Sequence, residues 1–188
     1  LIRNGQLEQG LKAIADPQTD VRILTLDNGG NDLLVLRMMG PCLLDPEGYL
    51  CQELVSKAKG GFAMTYPVIL SALRWALAQD HGEEQFLVMT LYNPFGGTGS
   101  YLEGPVDRAL LGKDLAVNCQ ANPYDPDLVG LNDLIWCLGT LAGAEVVDLY
   151  PLFGDNAPYL THIMSGDIHP NDAGYAAIAQ ALRQVLEG

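Results

Sequence analysis

Two short segments carry the side chains that could do chemistry. The first is Asp27-Asn28-Gly29-Gly30-Asn31-Asp32, directly after the apolar run Val21 to Leu26. Two adjacent glycines allow a backbone turn that other residues resist. Such a turn would present the amide N–H of Asn31 to a reacting oxygen. A fixed amide donor is what a tetrahedral oxyanion requires, and losing one costs roughly 3–4 kcal/mol of transition-state stabilisation. The second segment runs Ser165-Gly166-Asp167-Ile168-His169-Pro170-Asn171. His169 supplies an imidazole base. Asp167 supplies a carboxylate to orient it and to balance the imidazolium that forms. Asn171 or Asp172 is placed to cap the helix that follows.

Each segment also has a plain structural reading. An Asn-Asp turn after a strand is common, and a lone histidine beside a helix cap is usually a surface residue. His81, in Asp80-His81-Gly82-Glu83, reads as part of a solvated turn. His162 is a weaker second candidate, because it shares the loop that leads to His169. A calcium loop over Asp27, Asn31 and Asp32 fails the EF-hand template, which needs glycine at its sixth position, where Asp32 stands.

The elements that must position these segments alternate along the chain. Val21 to Leu26, Phe86 to Tyr92 and Ala144 to Leu149 are short, nearly continuous apolar runs. That pattern predicts parallel strands covered on both faces. Helical stripes lie between them. Leu7, Leu11 and Ile14 precede the first strand, and Ile69, Leu73, Ala76 and Leu77 precede the second. Leu131, Leu134, Ile135, Leu138 and Leu141 precede the third, and Tyr175, Ile178, Leu182, Val185 and Leu186 line a last helix. The alternation predicts one α/β domain over residues 1–188, a three-layer α/β/α sandwich with a parallel sheet. Both chemical segments then fall where ligands bind in such folds, beyond the carboxyl ends of strands. Gly40 to Gly48 and Asn93 to Asp127, rich in Gly, Pro, Asn and Asp, read as long loops of the kind that carry binding functions.

Composition narrows the partners. The 188 residues are 48% hydrophobic and 18% charged, a globular balance. The net charge of −13 repels phosphate backbones and anionic membranes, so nucleic acid is excluded as an expected partner. No apolar run approaches the roughly 20 residues of a spanning helix. Cys42 and Cys51 bracket a turn-rich stretch and read as a local disulfide, which points to an oxidising compartment and a secreted protein. The alternative is four free thiols in the cytoplasm, and Cys119 with Cys137 stays open between the two. The spacings do not fit a zinc site, and no metal or cofactor is expected. A nucleotide-binding reading of the same sheet finds no phosphate loop or dinucleotide fingerprint.

Taken together, the two segments resemble a known family. Gly29-Gly30-Asn31-Asp32 is similar to the GxND block of the GDSL/SGNH serine esterases and lipases. His169-Pro170-Asn171, with Gly174-Tyr175 after it, is similar to that family's last block, and Tyr92-Asn93-Pro94-Phe95 also resembles members. The likeness spans nearly the whole chain. It implies a flavodoxin-like α/β/α fold and acyl transfer from a small-molecule, lipid or carbohydrate ester to water. It also implies a serine nucleophile and no metal, with Asn31 as an oxyanion donor and His169 as the base. The family usually places its aspartate three residues before the histidine. Here that position is Gly166, so Asp167 or the carbonyl of Ser165 or Gly166 is expected to orient the ring.

The family's first block, Gly-Asp-Ser with the nucleophile, has no counterpart here, and neither has its second, with a glycine oxyanion donor. No GxSxG elbow occurs either. Ser56 and Ser71 lie in helical patterns, Ser100 lies in a loop, and nothing marks Ser165 as a nucleophile. The opening segment, Leu1 to Leu11, resembles the helix after the family's second block. The resemblance therefore implies a nucleophile upstream of Leu1, on an N-terminal segment of at least one βαβ unit, roughly 30 residues or more. Without that segment, Val21 to Leu26 is expected to expose a sheet edge. A non-catalytic remnant or binding module of the same fold is the competing expectation.

Overall fold

A computed structural model describes residues 5–32, 40–79, 84–122, 125 and 128–188. Within them, eight α-helices and two 3₁₀ turns surround a three-stranded sheet. Helix α1 (Gln6–Ile14) leads into strand β1 (Ile23–Leu26). After the Gly29-Gly30 turn come α2 (Gly40–Leu44) and the long α3 (Tyr49–Leu77). Strand β2 (Gln85–Met89), α4 (Glu103–Leu111), α5 (Leu131–Leu141) and β3 (Glu145–Val147) follow. Two one-turn helices, α6 (Tyr150–Phe153) and α7 (Ala157–Leu160), precede the terminal α8 (Asp172–Glu187).

The strands lie in the order β1-β2-β3 and both pairings are parallel. Register explains how the core divides. Leu24 pairs with Phe86, Leu26 with Val88, and Val88 with Val146. These residues face one side and join a cluster with Phe62, Tyr66 and Leu70 of α3 and Leu131, Leu134 and Ile135 of α5. Leu87, Met89 and Val147 alternate to the other side, as strand geometry requires. There they meet Ile178, Leu182 and Val185 of α8 and Phe153 of α6. Helices thus cover both faces of β2, the layered α/β arrangement the sequence predicts. Gly139 of α5 lets that helix approach the sheet, since a Cβ there would stand 2.6 Å from Val88 Cγ2.

On the α8 side, cover stops short of β1. Ile23 is 47% exposed and Thr25 is exposed as well. Among the described residues β1 bonds only to β2, so its other edge is open, as expected.

Several elements differ from the sequence reading. All three strands are shorter than the apolar runs that announce them. Asn93 to Asp127 is not one loop: it contains α4, with Pro105 in the first turn, where a missing N–H costs little. Gly40 to Gly48 contains the short α2. Helix α3 starts twenty residues before the stripe at Ile69 and runs through Gly60, Gly61 and Pro67. Its buried face, from Phe62 to Leu77, holds it together despite those weak helix formers. Both cysteine pairs form disulfides, Cys42–Cys51 and Cys119–Cys137, and no free cysteine remains.

Candidate functional site

Parallel pairing puts the exits of all three strands on one rim. The exit of β2 is the best anchored. Thr90 donates its hydroxyl to Asp148 Oδ1 at 2.7 Å and accepts the backbone N–H of Leu149 at 2.8 Å. Asn132 of α5 accepts the N–H of Leu91 and donates to the carbonyl of Leu91, both at 2.8 Å. A buried side-chain amide therefore does for Leu91 what a neighbouring strand would do. Asn93 donates to the carbonyl of Glu103 and to Asp107 Oδ1, which also accepts the Tyr150 hydroxyl. Each residue from 90 to 93 ties β2 to a different element.

Leu91 and Tyr92 connect the two chemical segments. On one side, the Gly29-Gly30 turn packs against Leu91. A Cβ on Gly29 would lie 3.1 Å from a Phe62 ring carbon and 3.4 Å from Leu91 Cδ1. Gly29 also takes a φ of +110°, which favours glycine. Gly30, Asn31 and Asp32 then begin a helical turn, with the Asp32 N–H donating to the Gly29 carbonyl, and Asn31 is exposed. On the other side, Tyr92 donates its hydroxyl to the carbonyl of Ile168 at 2.8 Å. Its ring stacks on Phe153 with centroids 3.9 Å apart.

The electrostatics agree with this placement. Burial pushes the Tyr92 phenol up, and the nearby carboxylates of Asp27 and Asp167 push it further. Burial and Asp27 do the same to Tyr66. Asp27 from the first segment and Asp167 from the second thus act on one phenol between them.

The second segment is a tight excursion. Thr161 and Pro170 form an antiparallel bridge, and the His162 N–H donates to the His169 carbonyl at 3.0 Å. Gly166 turns the chain at a φ of +86°. Asn171 is the cap of α8, accepting the Gly174 N–H at 3.0 Å and donating to the carbonyls of Tyr159 and Thr161. Asp167 Oδ1 lies 2.5 Å from His169 Nδ1 and also accepts the His169 backbone N–H at 3.1 Å. Of the three candidate orienting groups, the ring is paired with the carboxylate. Those contacts, the backbone N–H first, hold the Asp167 carboxyl below the usual carboxylate range. With Nδ1 engaged, Nε2 is the nitrogen left for proton transfer. Both side chains are open to water, His169 at 73% and Asp167 at 53%.

The Gly29-Gly30 turn packs against Leu91 and the loop of His169 is tied to Tyr92, so both segments lie beside the exit of β2. His162 shares the loop but not the pairing with Asp167; its side chain is exposed. His81 lies outside the described residues. None of the four serines meets His169 among the described residues: Ser56 and Ser71 are on α3, Ser100 accepts the Leu102 N–H, and Ser165 donates to the His162 carbonyl. The sequence reading missed two supports, Asn132 and the hydroxyl of Tyr92. No family model, curated protein or solved structure matches the chain.

Proposed function

We propose that this chain is the histidine-bearing portion of a serine-type ester hydrolase. The observation that carries the reading is the Asp167–His169 pair held at the strand rim beside the Gly29-Gly30-Asn31 turn. In this account His169 Nε2 takes the proton of a serine hydroxyl as the serine oxygen attacks an ester carbonyl. Asn31 donates to the oxyanion, and His169 returns the proton to the leaving alcohol. Asp167 fixes the ring and balances its transient charge. The nucleophilic serine is placed upstream of Leu1, on a strand that would join the open edge of β1. The resemblance to the GDSL/SGNH esterases supports this assignment, and the two disulfides support a secreted location.

One observation favours a second reading, a non-catalytic module of the same architecture: no serine of this chain bonds His169 among the described residues. A fluorophosphonate probe separates the two. It is applied to the protein bearing its upstream sequence, followed by peptide mapping. The hydrolase reading predicts one labelled serine upstream of Leu1, with labelling slowed at least tenfold by His169→Ala. No labelled serine would establish the non-catalytic module.

A further inference from the structure

The chain holds ten lysines and arginines against 23 acidic residues, yet three of the ten line one cleft. The cleft, of about 400 Å³, lies between the first turns of α3 and the end of α4. Among the described residues, Lys59, Arg108 and Lys113 are its charged lining groups, and Ser56 and Gln52 add neutral polar ones. An acidic protein that concentrates cations in a concavity creates a local field opposite to its net charge.

The cations differ in setting. Lys59 is only 6% exposed, and its ammonium donates to the Val129 carbonyl at 3.0 Å. Arg108 Nη2 meets Glu47 Oε1 in an ion pair whose partners are 50% and 67% exposed. Such a solvated pair contributes little net stability, so an incoming anion can share or displace it. Lys113 is exposed. Asp133 lies outside the lining and offsets part of the Lys59 charge, while its oxygens also accept the N–H groups of Gly130 and Asn118. Asp114, beside Lys113 in sequence, is not among the lining residues either. The remaining acidic surface is damped in salt, where the screening length is about 8 Å at physiological ionic strength. Cations in direct contact with a ligand are not damped in this way.

We propose that this cleft binds a small oxyanion, the phosphate or carboxylate group of a soluble ligand, through Arg108 and Lys113 with Lys59 behind them. Arg108 offers the planar donor fork that matches such a group, and Lys113 a point charge. The proposal stands independently of any role for His169.

The test is calorimetric titration of the protein with inorganic phosphate and, separately, with citrate, at low salt and at 0.15 M. Saturable one-to-one binding by at least one anion is expected at both salt concentrations. The double variant Arg108→Gln/Lys113→Gln, both at solvent-exposed positions, is expected to weaken binding at least tenfold while keeping the thermal transition of the parent. A phosphate response alone assigns a phosphoryl ligand, and a citrate response alone a carboxylate one. No saturable binding of either anion, or equal binding by the double variant, overturns the proposal.

Discussion

Asp167 grips His169 twice through a single oxygen, Oδ1, which lies 2.5 Å from the ring nitrogen Nδ1 and 3.1 Å from the backbone nitrogen. The two residues are only two positions apart in the turn, so the pair is built locally and needs little from the rest of the fold. What the fold adds is position: Tyr92, 76 residues earlier, fixes the carbonyl of Ile168 between them.

The first prediction concerns pH. The folded state holds the Asp167 carboxyl below its ordinary value, through the His169 backbone N–H first and the ring second. Just below the ordinary carboxylate value the unfolded chain therefore binds more protons than the folded one. The stabilisation is present above the unfolded value and is lost as pH falls through the folded value. Carbon-13 NMR titration of the Asp167 carboxyl should give a depressed midpoint. His169→Ala should move it only part of the way back, because the backbone N–H remains. An unmoved midpoint would show that the ring contact contributes nothing.

The second concerns the anchoring of the rim. Asn132→Leu keeps similar volume but leaves both the N–H and the carbonyl of Leu91 without their partner in a buried setting. An unsatisfied buried group costs about 1–3 kcal/mol, so with two of them urea unfolding should show a loss of about 2–6 kcal/mol. A change below about 1 kcal/mol would mean that the rim relaxes to find other partners.

The third concerns the disulfides. The two bridges close sequence separations of 9 and 18 residues. Chain entropy assigns each about 3 kcal/mol. Alkylation of the denatured, unreduced protein should modify no cysteine, and reduction should lower stability by that order per bridge. Four reactive thiols before reduction would contradict both the bridges and the oxidising compartment inferred from them.

What the sequence made legible was local. Apolar runs such as Phe86 to Tyr92 announce strands because burial on both faces removes the need for polar alternation. Where such a run ends is decided by tertiary partners: the Thr90 N–H still donates to the Val147 carbonyl of β3, and Leu91 then bonds to the Asn132 side chain instead. Helix α4 was hidden between Gly-rich and Asn/Pro-rich stretches. The start of α3 was hidden by Gly60, Gly61 and Pro67, whose unfavourable propensities are offset by burial of the face around Phe62 and Tyr66. Asp167 and His169 were legible as a pair because two-residue spacing is itself a local signal. The Asn132–Leu91 and Tyr92–Ile168 contacts span 41 and 76 residues and leave no mark on local spacing.

Under the proposed function, His169 is a base acting on an ester substrate. The most direct measurement of that role is the hydrolysis rate of a short p-nitrophenyl ester by the protein bearing its upstream sequence, compared with its His169→Ala variant. A positioned general base contributes about 10²- to 10⁴-fold, so kcat should fall by that factor while the thermal transition stays in place. Equal rates in the two proteins would contradict the account.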